Sequence, residues 1–342
     1  RPDLERMEHP ASGVGSRAGL STGYGLHLYS KVDSGFVWYG HDGGVAGGLT
    51  DLAYLPGQGV GYAVMINTAS GEAYKAIGRL LRRFLTSGLT PQPVPPAARL
   101  APALRAAYTG WFRPDNPRRQ DMYFLERLLG LTRVRPGDTL LVEMPLLESP
   151  DTLVAVSDRL FRPTHTAAVV LALTSDSSNG EPVSMQSGEF GPSLHRIATP
   201  VAWLELGLAG LWTLGMALTL LFALVWVPRW LFRRLRGSPH LMVRTWPLLA
   251  TLVIAMVVGI TILTTDDPFA TLARPTVWSV GLFLLTLGYP LLSVAGLYSS
   301  LRVPTAEVRP AIRLHALGCS LLNLVASGYL LGYGVIGWRP WA

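Results

Sequence analysis

Four apolar runs occupy the chain beyond Trp203, at Leu204–Val227, Val243–Leu263, Val277–Tyr298 and Leu314–Ile336. Each is about 20 residues or longer, enough to cross a hydrocarbon core as a helix. None carries a charge beyond Glu205 and Arg244 at the edges. Lipid offers backbone amides no partner, so these runs are expected to be transmembrane helices. The segment after the first run holds Arg229, Arg233, Arg234, Arg236 and Arg244, and the one after the third holds Arg302, Arg309 and Arg313 against Glu307. The segment between the second and third runs, Thr264–Pro275, has Asp266, Asp267 and only Arg274. The positive-inside rule then puts the first and third connections in the cytoplasm, and everything before Trp203 on the opposite side. Trp203, Trp226, Trp230, Trp246, Trp278, Trp338 and Trp341 fall near run ends, where aromatic belts form.

A net charge of +7 invites a nucleic-acid reading, but the charge is unevenly divided. Residues 1–202 hold 19 basic and 18 acidic side chains, and residues 203–342 hold 10 and 4. The excess is a topology signal and not a phosphate-binding face, so no nucleic-acid partner is expected. The one cysteine, Cys319, lies in the fourth apolar run, so the preceding residues fold without a disulfide. The chain opens on Arg1 with no signal peptide at its front. The expectation is a C-terminal portion of a longer exported protein.

Ahead of the membrane region, Tyr24–Ser30 and Phe36–Tyr39 read as strands split by the turn residues Asp33-Ser34-Gly35. Leu49–Leu55 and Gly61–Ile66 read as a second hairpin across Pro56-Gly57-Gln58-Gly59. Glu72–Leu85 has helical periodicity, with Tyr74, Ile77, Leu81, Phe84 and Leu85 on one face and Lys75, Arg79, Arg82 and Arg83 on the others. Strands followed by one helix predict an antiparallel sheet covered by that helix. Thr90–Ala103 is a Pro/Ala linker. Beyond it, Thr139–Met144, Thr152–Val156, Ala167–Leu173 and Val183–Ser187 read as strands, with turns at Pro136-Gly137-Asp138 and Ser178-Asn179-Gly180. The expected fold class is multi-domain α+β with a membrane region. An antiparallel sheet plus helix occupies 1–89, a linker 90–107, a small barrel-like β-module 108–199, and a four-helix anchor 203–338.

The densest chemical signal is Tyr39-Gly40-His41-Asp42-Gly43-Gly44-Val45-Ala46-Gly47-Gly48. Here a histidine follows a strand and precedes glycines whose amides and missing side chains suit a close-approaching substrate. The alternative reading of the same residues is a hairpin turn with an exposed histidine. The stretch YGHDGGVAGGLTDLAYLPGQGVGYAVMINT resembles the third motif and following hairpin of the serine β-lactamase-like hydrolases. That superfamily contains class C β-lactamases, DD-peptidases, D-aminopeptidases and related esterases. Its third motif, Lys-Thr-Gly or His-x-Gly, is matched by His41-Asp42-Gly43, and the resemblance covers about residues 1–88. Tyr108-Thr109-Gly110-Trp111 and the β-module after it resemble an accessory module of the same proteins.

The resemblance implies a partial β-lactamase-like sheet and an acyl-enzyme reaction on an ester, amide or peptide bond. It implies that His41 stands in the third-motif position, that Gly43 gives clearance, and that the Gly44 amide is one oxyanion donor. Asp42 stands where relatives carry threonine, which disfavours anionic substrates. The expected partners are a small-molecule or peptide acyl substrate and the lipid bilayer. The expected location is a bacterial inner membrane, multi-pass, with the soluble residues on the periplasmic or extracellular side. The chain departs from the family in having no Ser-x-x-Lys, since only Lys31 and Lys75 occur, preceded three positions earlier by Leu28 and Glu72. Tyr-x-Asn is also missing, and Ser177-Ser178-Asn179 follows His41 instead of preceding it. This chain by itself is therefore expected to be inactive.

Gly19-Leu20-Ser21-Thr22-Gly23 matches a nucleophile elbow in letters only, having a loop before it and a strand after it. The scattered His9, His27, His41, His165 and His195 have no ligand spacing, so neither metal nor cofactor is expected. His315, Cys319, Ser320 and Asn323 share one side of the fourth run and read as helix–helix glue. The rival class is a membrane-anchored binding or sensing protein without catalysis.

Overall fold

The computed structural model describes residues 2–45, 47–116, 120–137, 141–147, 149–174, 183–187, 193–232, 234, 238–264, 271–304 and 306–341. They divide into two compact units, Arg1–Ala202 and Trp203–Ala342. The fold is mixed α+β, as expected, with two antiparallel sheets and four long apolar helices.

The first unit opens with α1 (Pro2–Glu8) and α2 (Val14–Arg17), followed by an antiparallel meander of β1 (Tyr29–Asp33), β2 (Phe36–Val45), β3 (Gly48–Leu55) and β4 (Val60–Ile66). Ser34 and Gly35 close the first hairpin with φ of 55° and 82°, the doubly positive two-residue turn that suits strand twist. Phe36, Trp38, Ala53 and Leu55 form the buried core of this sheet.

α3 (Gly71–Leu85) begins where the Ser70 side chain accepts the Ala73 amide at 3.3 Å. It lies over β3 and β4, the arrangement expected from strands followed by one helix. Its inward face differs from the periodicity reading. Phe84 is 74% exposed, whereas Arg82 is only 5% exposed. The Arg82 guanidinium donates to Asp33 and to the Tyr62 hydroxyl, each at 2.5 Å, and Tyr62 donates onward to Asp51 at 2.7 Å. Two strand carboxylates give a buried cation partners that apolar periodicity does not register.

Other differences follow from local chemistry. Tyr24–Leu28 is a loop joined to β1 by a bridge between Tyr24 and Tyr29, so the first strand starts at Tyr29. Strand β2 continues through the glycines to Val45, because pairing with β3 holds them extended.

After α4 (Pro102–Tyr108) comes a closed antiparallel barrel of eight strands. These are β5 (Gly110–Pro114), β6 (Thr132–Pro136), β7 (Leu141–Pro145), β8 (Asp151–Ala155), β9 (Leu160–Pro163), β10 (Leu171–Thr174), β11 (Ser184–Ser187) and β12 (Ser193–Ile197), with β10 closing on β9 and β12 on β5. A further helix, α5 (Tyr123–Leu129), joins β5 to β6. Phe112, Val134, Leu141, Leu153, Phe161, Leu173 and Met185 fill the interior. The buried Tyr108 hydroxyl donates to the carbonyls of Asp158 and Leu173. The Pro/Ala stretch is anchored on this barrel, through the Ala98 amide on the Ala155 carbonyl at 2.7 Å and the buried Leu100. The expected turn Ser178-Asn179-Gly180, with Asp138 of the other turn, lies outside the described residues.

The second unit holds four helices long and apolar enough to cross a membrane: α6 (Thr199–Leu231), α7 (Ser238–Leu263), α8 (Val277–Arg302) and α9 (Pro310–Gly332). The last starts four residues before the apolar run, with Pro310 at its first position, and ends four residues before the run does. Polar side chains tie these helices together. Trp212 on α6 donates to the Tyr289 hydroxyl on α8 and to Asn323 Oδ1 on α9, both at 3.0 Å, and Tyr289 donates to the same Asn323 oxygen at 3.1 Å. Thr219 lies 3.1 Å from His315, and Cys319 sits 3.5 Å from the Gly215 carbonyl.

Candidate functional site

Strand β2 carries His41, Asp42, Gly43 and Gly44 along one edge of a cavity of about 990 Å³. The entire cavity lies within the first unit. Tyr24, Tyr74 and Leu49 complete this wall, and Pro10 and Ser12 border it. The facing wall is built by the barrel, through Asn116, Glu126, Gln186 and Ser187 among others. The barrel is pinned by the Gln186 side chain, which accepts the Gly15 amide at 2.6 Å, and by Thr22, which donates to the Val169 carbonyl at 2.8 Å.

Gly40 sets the position of the histidine. A Cβ on Gly40 would stand 1.8 Å from the Leu52 carbonyl oxygen, so β2 and β3 approach closely there only because the side chain is missing. One residue later, His41 Nδ1 lies 2.5 Å from the Asp42 carbonyl and Nε2 lies 2.7 Å from the Tyr24 hydroxyl. A carbonyl can only accept, so Nδ1 carries the hydrogen in that contact. In the neutral ring Nε2 is then the acceptor and Tyr24 the donor. His27 stacks on the imidazole at 5.8 Å between centroids, and Tyr29 meets it edge-on at 5.6 Å. The ring is held by four neighbours and is not a freely rotating surface histidine.

Asp42 stands opposite Asp51 in the ladder, two like charges on adjacent strands. Their partners separate them. Asp51 faces Arg82 and Tyr62, whereas Asp42 accepts from Tyr29. Burial, aided by the Asp42 charge and bond, pushes the Tyr29 phenol far above its ordinary range. Burial, with the charges of Asp51 and Asp42, raises Tyr74 to about 12. Both phenols are thus neutral hydrogen-bond donors beside the cavity at physiological pH.

At the glycines, a Cβ on Gly43 would lie 2.9 Å from Thr50 Oγ1, and one on Gly44 would lie 3.2 Å from a Leu49 methyl. All three sequence-selected residues, His41, Gly43 and Gly44, therefore border one cavity. Tyr24, Tyr29, Tyr74 and the barrel residues were not selected. A strand through Tyr24–Ser30 would send Tyr24 and His27 to opposite faces, whereas the observed loop brings both to His41.

Ser21 is exposed, between the short helix α2 and β1, with neither a strand before it nor a helix after it. The elbow geometry is not formed. Ser177-Ser178-Asn179 lies outside the described residues. His195 pairs with Asp115 and His165 with Asp151. Among the described residues no three His, Cys, Asp or Glu side chains converge as a metal site would need.

No family model matches the chain, and no curated protein matches it. Several solved structures are similar to it, among them the following three. The crystal structure of SurE with D-Leu is 25% identical, with a TM-score of 0.29, covering 52% of this chain and 39% of that one. The crystal structure of SurE is 24% identical, with a TM-score of 0.30, covering 53% and 39%. The octameric penicillin-binding protein homologue from Pyrococcus abyssi is 16% identical, with a TM-score of 0.19, covering 54% and 38%. The chain spans well under half the length of each. Likenesses of this size decide neither the fold nor the chemistry.

Proposed function

We infer that residues 1–89 supply the third-motif wall of a β-lactamase-like serine hydrolase, carried on a membrane anchor formed by the four apolar helices. The observation behind this is the His41-Asp42-Gly43-Gly44 edge, in which a glycine-permitted strand contact places a doubly hydrogen-bonded imidazole against a cavity of about 990 Å³. A cavity of that size suits a small-molecule or short peptide acyl substrate. In this reading a serine outside these 342 residues attacks the acyl carbonyl, forming an acyl-enzyme that water resolves. His41 and Tyr24 orient protons near the leaving group, and the Gly44 amide helps hold the oxyanion. Tyr29 engages Asp42 on the same wall, and the carboxylate favours neutral or cationic substrates over anionic ones. The arginine-rich connections face the cytoplasm and the cavity faces the periplasm.

The test is labelling with a fluorophosphonate probe, followed by peptide mapping. The native protein in its source membranes should be labelled at a serine within Ser-x-x-Lys encoded upstream of Arg1, and the 342-residue chain should remain unlabelled. Labelling of Ser21 in this chain would overturn the reading. A native protein that takes no label would instead be a binding or sensing module.

A further inference from the structure

The arginine-rich end of the helical unit contains a second cavity, of about 920 Å³, which the hydrolase reading does not use. It lies between the end of α6, the start of α7 and the segment leading into α9. Arg229, Arg244 and Arg309 all border it. Arg229 and Arg309 lie within electrostatic range of Arg244, so three like charges converge on one space. Among the described residues none of the three forms an ion pair. The Arg244 guanidinium reaches the His240 carbonyl at a long 3.5 Å. Among the described residues Glu307 is the one carboxylate on the cavity wall.

Position makes this cluster costly. Arg244 is half-buried and lies six residues inside α7, one of the apolar helices, where a charge is expensive unless something answers it. Arg309 is the residue immediately before α9, so the positive end of a 23-residue helix opens beside it. Beside Thr219, His240 and His315, the rest of the wall is apolar and aromatic, with Phe222, Val225, Trp226 and Pro247 contributing. A cavity lined by three guanidinium groups and by hydrocarbon matches an amphiphile with an anionic head. Guanidinium groups bind phosphate oxygens in bidentate fashion, and apolar walls accept acyl chains.

The geometry points to a binding site for a phosphate headgroup carried on a lipid, an acidic phospholipid held by Arg229, Arg244 and Arg309. Bound phosphate would neutralise the cluster, and the site is independent of whether the His41 wall belongs to a hydrolase.

The test uses the full chain in neutral detergent, with native mass spectrometry after titration with phosphatidylglycerol, phosphatidylcholine or inorganic phosphate. Phosphatidylglycerol should be retained in preference to phosphatidylcholine, and inorganic phosphate in excess should not displace it. Arg244→Gln should weaken retention about tenfold, the size expected for losing one charge-assisted contact. Arg309→Gln, exposed and outside the helix interior, should weaken it similarly without disturbing the fold, a check on any folding defect in Arg244→Gln. Arg302→Gln is the control, because Arg302 is exposed, lies over the Tyr298 ring and does not border the cavity. Equal retention of phosphatidylcholine, or an equal loss in Arg302→Gln, would overturn the site in favour of nonspecific surface attraction. Full displacement by inorganic phosphate would overturn the lipid assignment and make the ligand a free anion.

Discussion

At the residue scale the chemistry centres on one imidazole. The Asp42 carbonyl at Nδ1 fixes the tautomer of His41, and the Tyr24 hydroxyl, 2.7 Å from Nε2, helps to hold the ring's orientation. In the full-length hydrolase proposed here, His41→Ala should lower turnover by about 10²–10³-fold, the range for losing a positioned proton-transfer or preorganised polar group. Tyr24→Phe removes one donor and leaves the ring in place, so it should cost about tenfold and shift the pH–rate profile. Steady-state kinetics of both variants on one ester substrate decide the matter. Unchanged turnover in both, with circular dichroism confirming the fold, would remove His41 from the mechanism. Tyr24 was hidden from sequence reading because its usefulness depends on a loop that turns it back toward β2. Alternation along a strand would have placed it elsewhere.

At the element scale the wall stands on β2, and β2 is held by what lies behind it. Arg82 reaches from α3 to Asp33 at the end of β1 and to Asp51 on β3, with Tyr62 of β4 bridging. Strands β1, β3 and β4 and the helix therefore share one buried polar network, which includes Asp51, the ladder partner of Asp42 on β2. Breaking it leaves carboxylates without their cation in a desolvated position, a loss of about 3–5 kcal/mol for a buried pair. Arg82→Ala should accordingly raise amide hydrogen exchange in peptides from β3 and β4 while leaving barrel peptides unchanged. If exchange in the sheet is unaltered, the network does not hold it. The helix itself was legible from its 3.6-residue period, but its key inward residue was not. Periodicity counts apolar side chains, and the most consequential inward side chain is an arginine.

At the scale of the whole molecule, the four long apolar helices and the basic connections between them make a directional statement. Cysteine placed at Ser238, beside the arginine-rich end, should be shielded from impermeant thiol reagents in intact cells. Cysteine placed at Ala270, in the segment outside the described residues, should be labelled, and Cys319→Ser provides the background. Equal labelling at both positions would contradict the proposed orientation.

What residue order alone determined is what depends on near-neighbour patterns. Apolar length marked the four helices, and turn residues marked the β1–β2 and β3–β4 hairpins. Helical spacing marked α3, and a short glycine-flanked histidine drew attention to β2. Half of the barrel was also legible, in the expected segments that became β7, β8, β10 and β11. Strands β5, β6, β9 and β12 are each four or five residues long and mix Arg, Pro and Ser with their apolar positions. They are strands because neighbours in a closed sheet satisfy their amides, a condition that no short window contains. The site divides in the same way. His41, Gly43 and Gly44 are adjacent in the chain and were found together. Gln186 on β11, Glu126 on α5 and Asn116 after β5 come from the barrel module, and only folding could bring them to the same cavity. Contacts between residues distant in sequence are decided by packing and hydrogen-bond satisfaction across the whole unit, and these the linear order does not display.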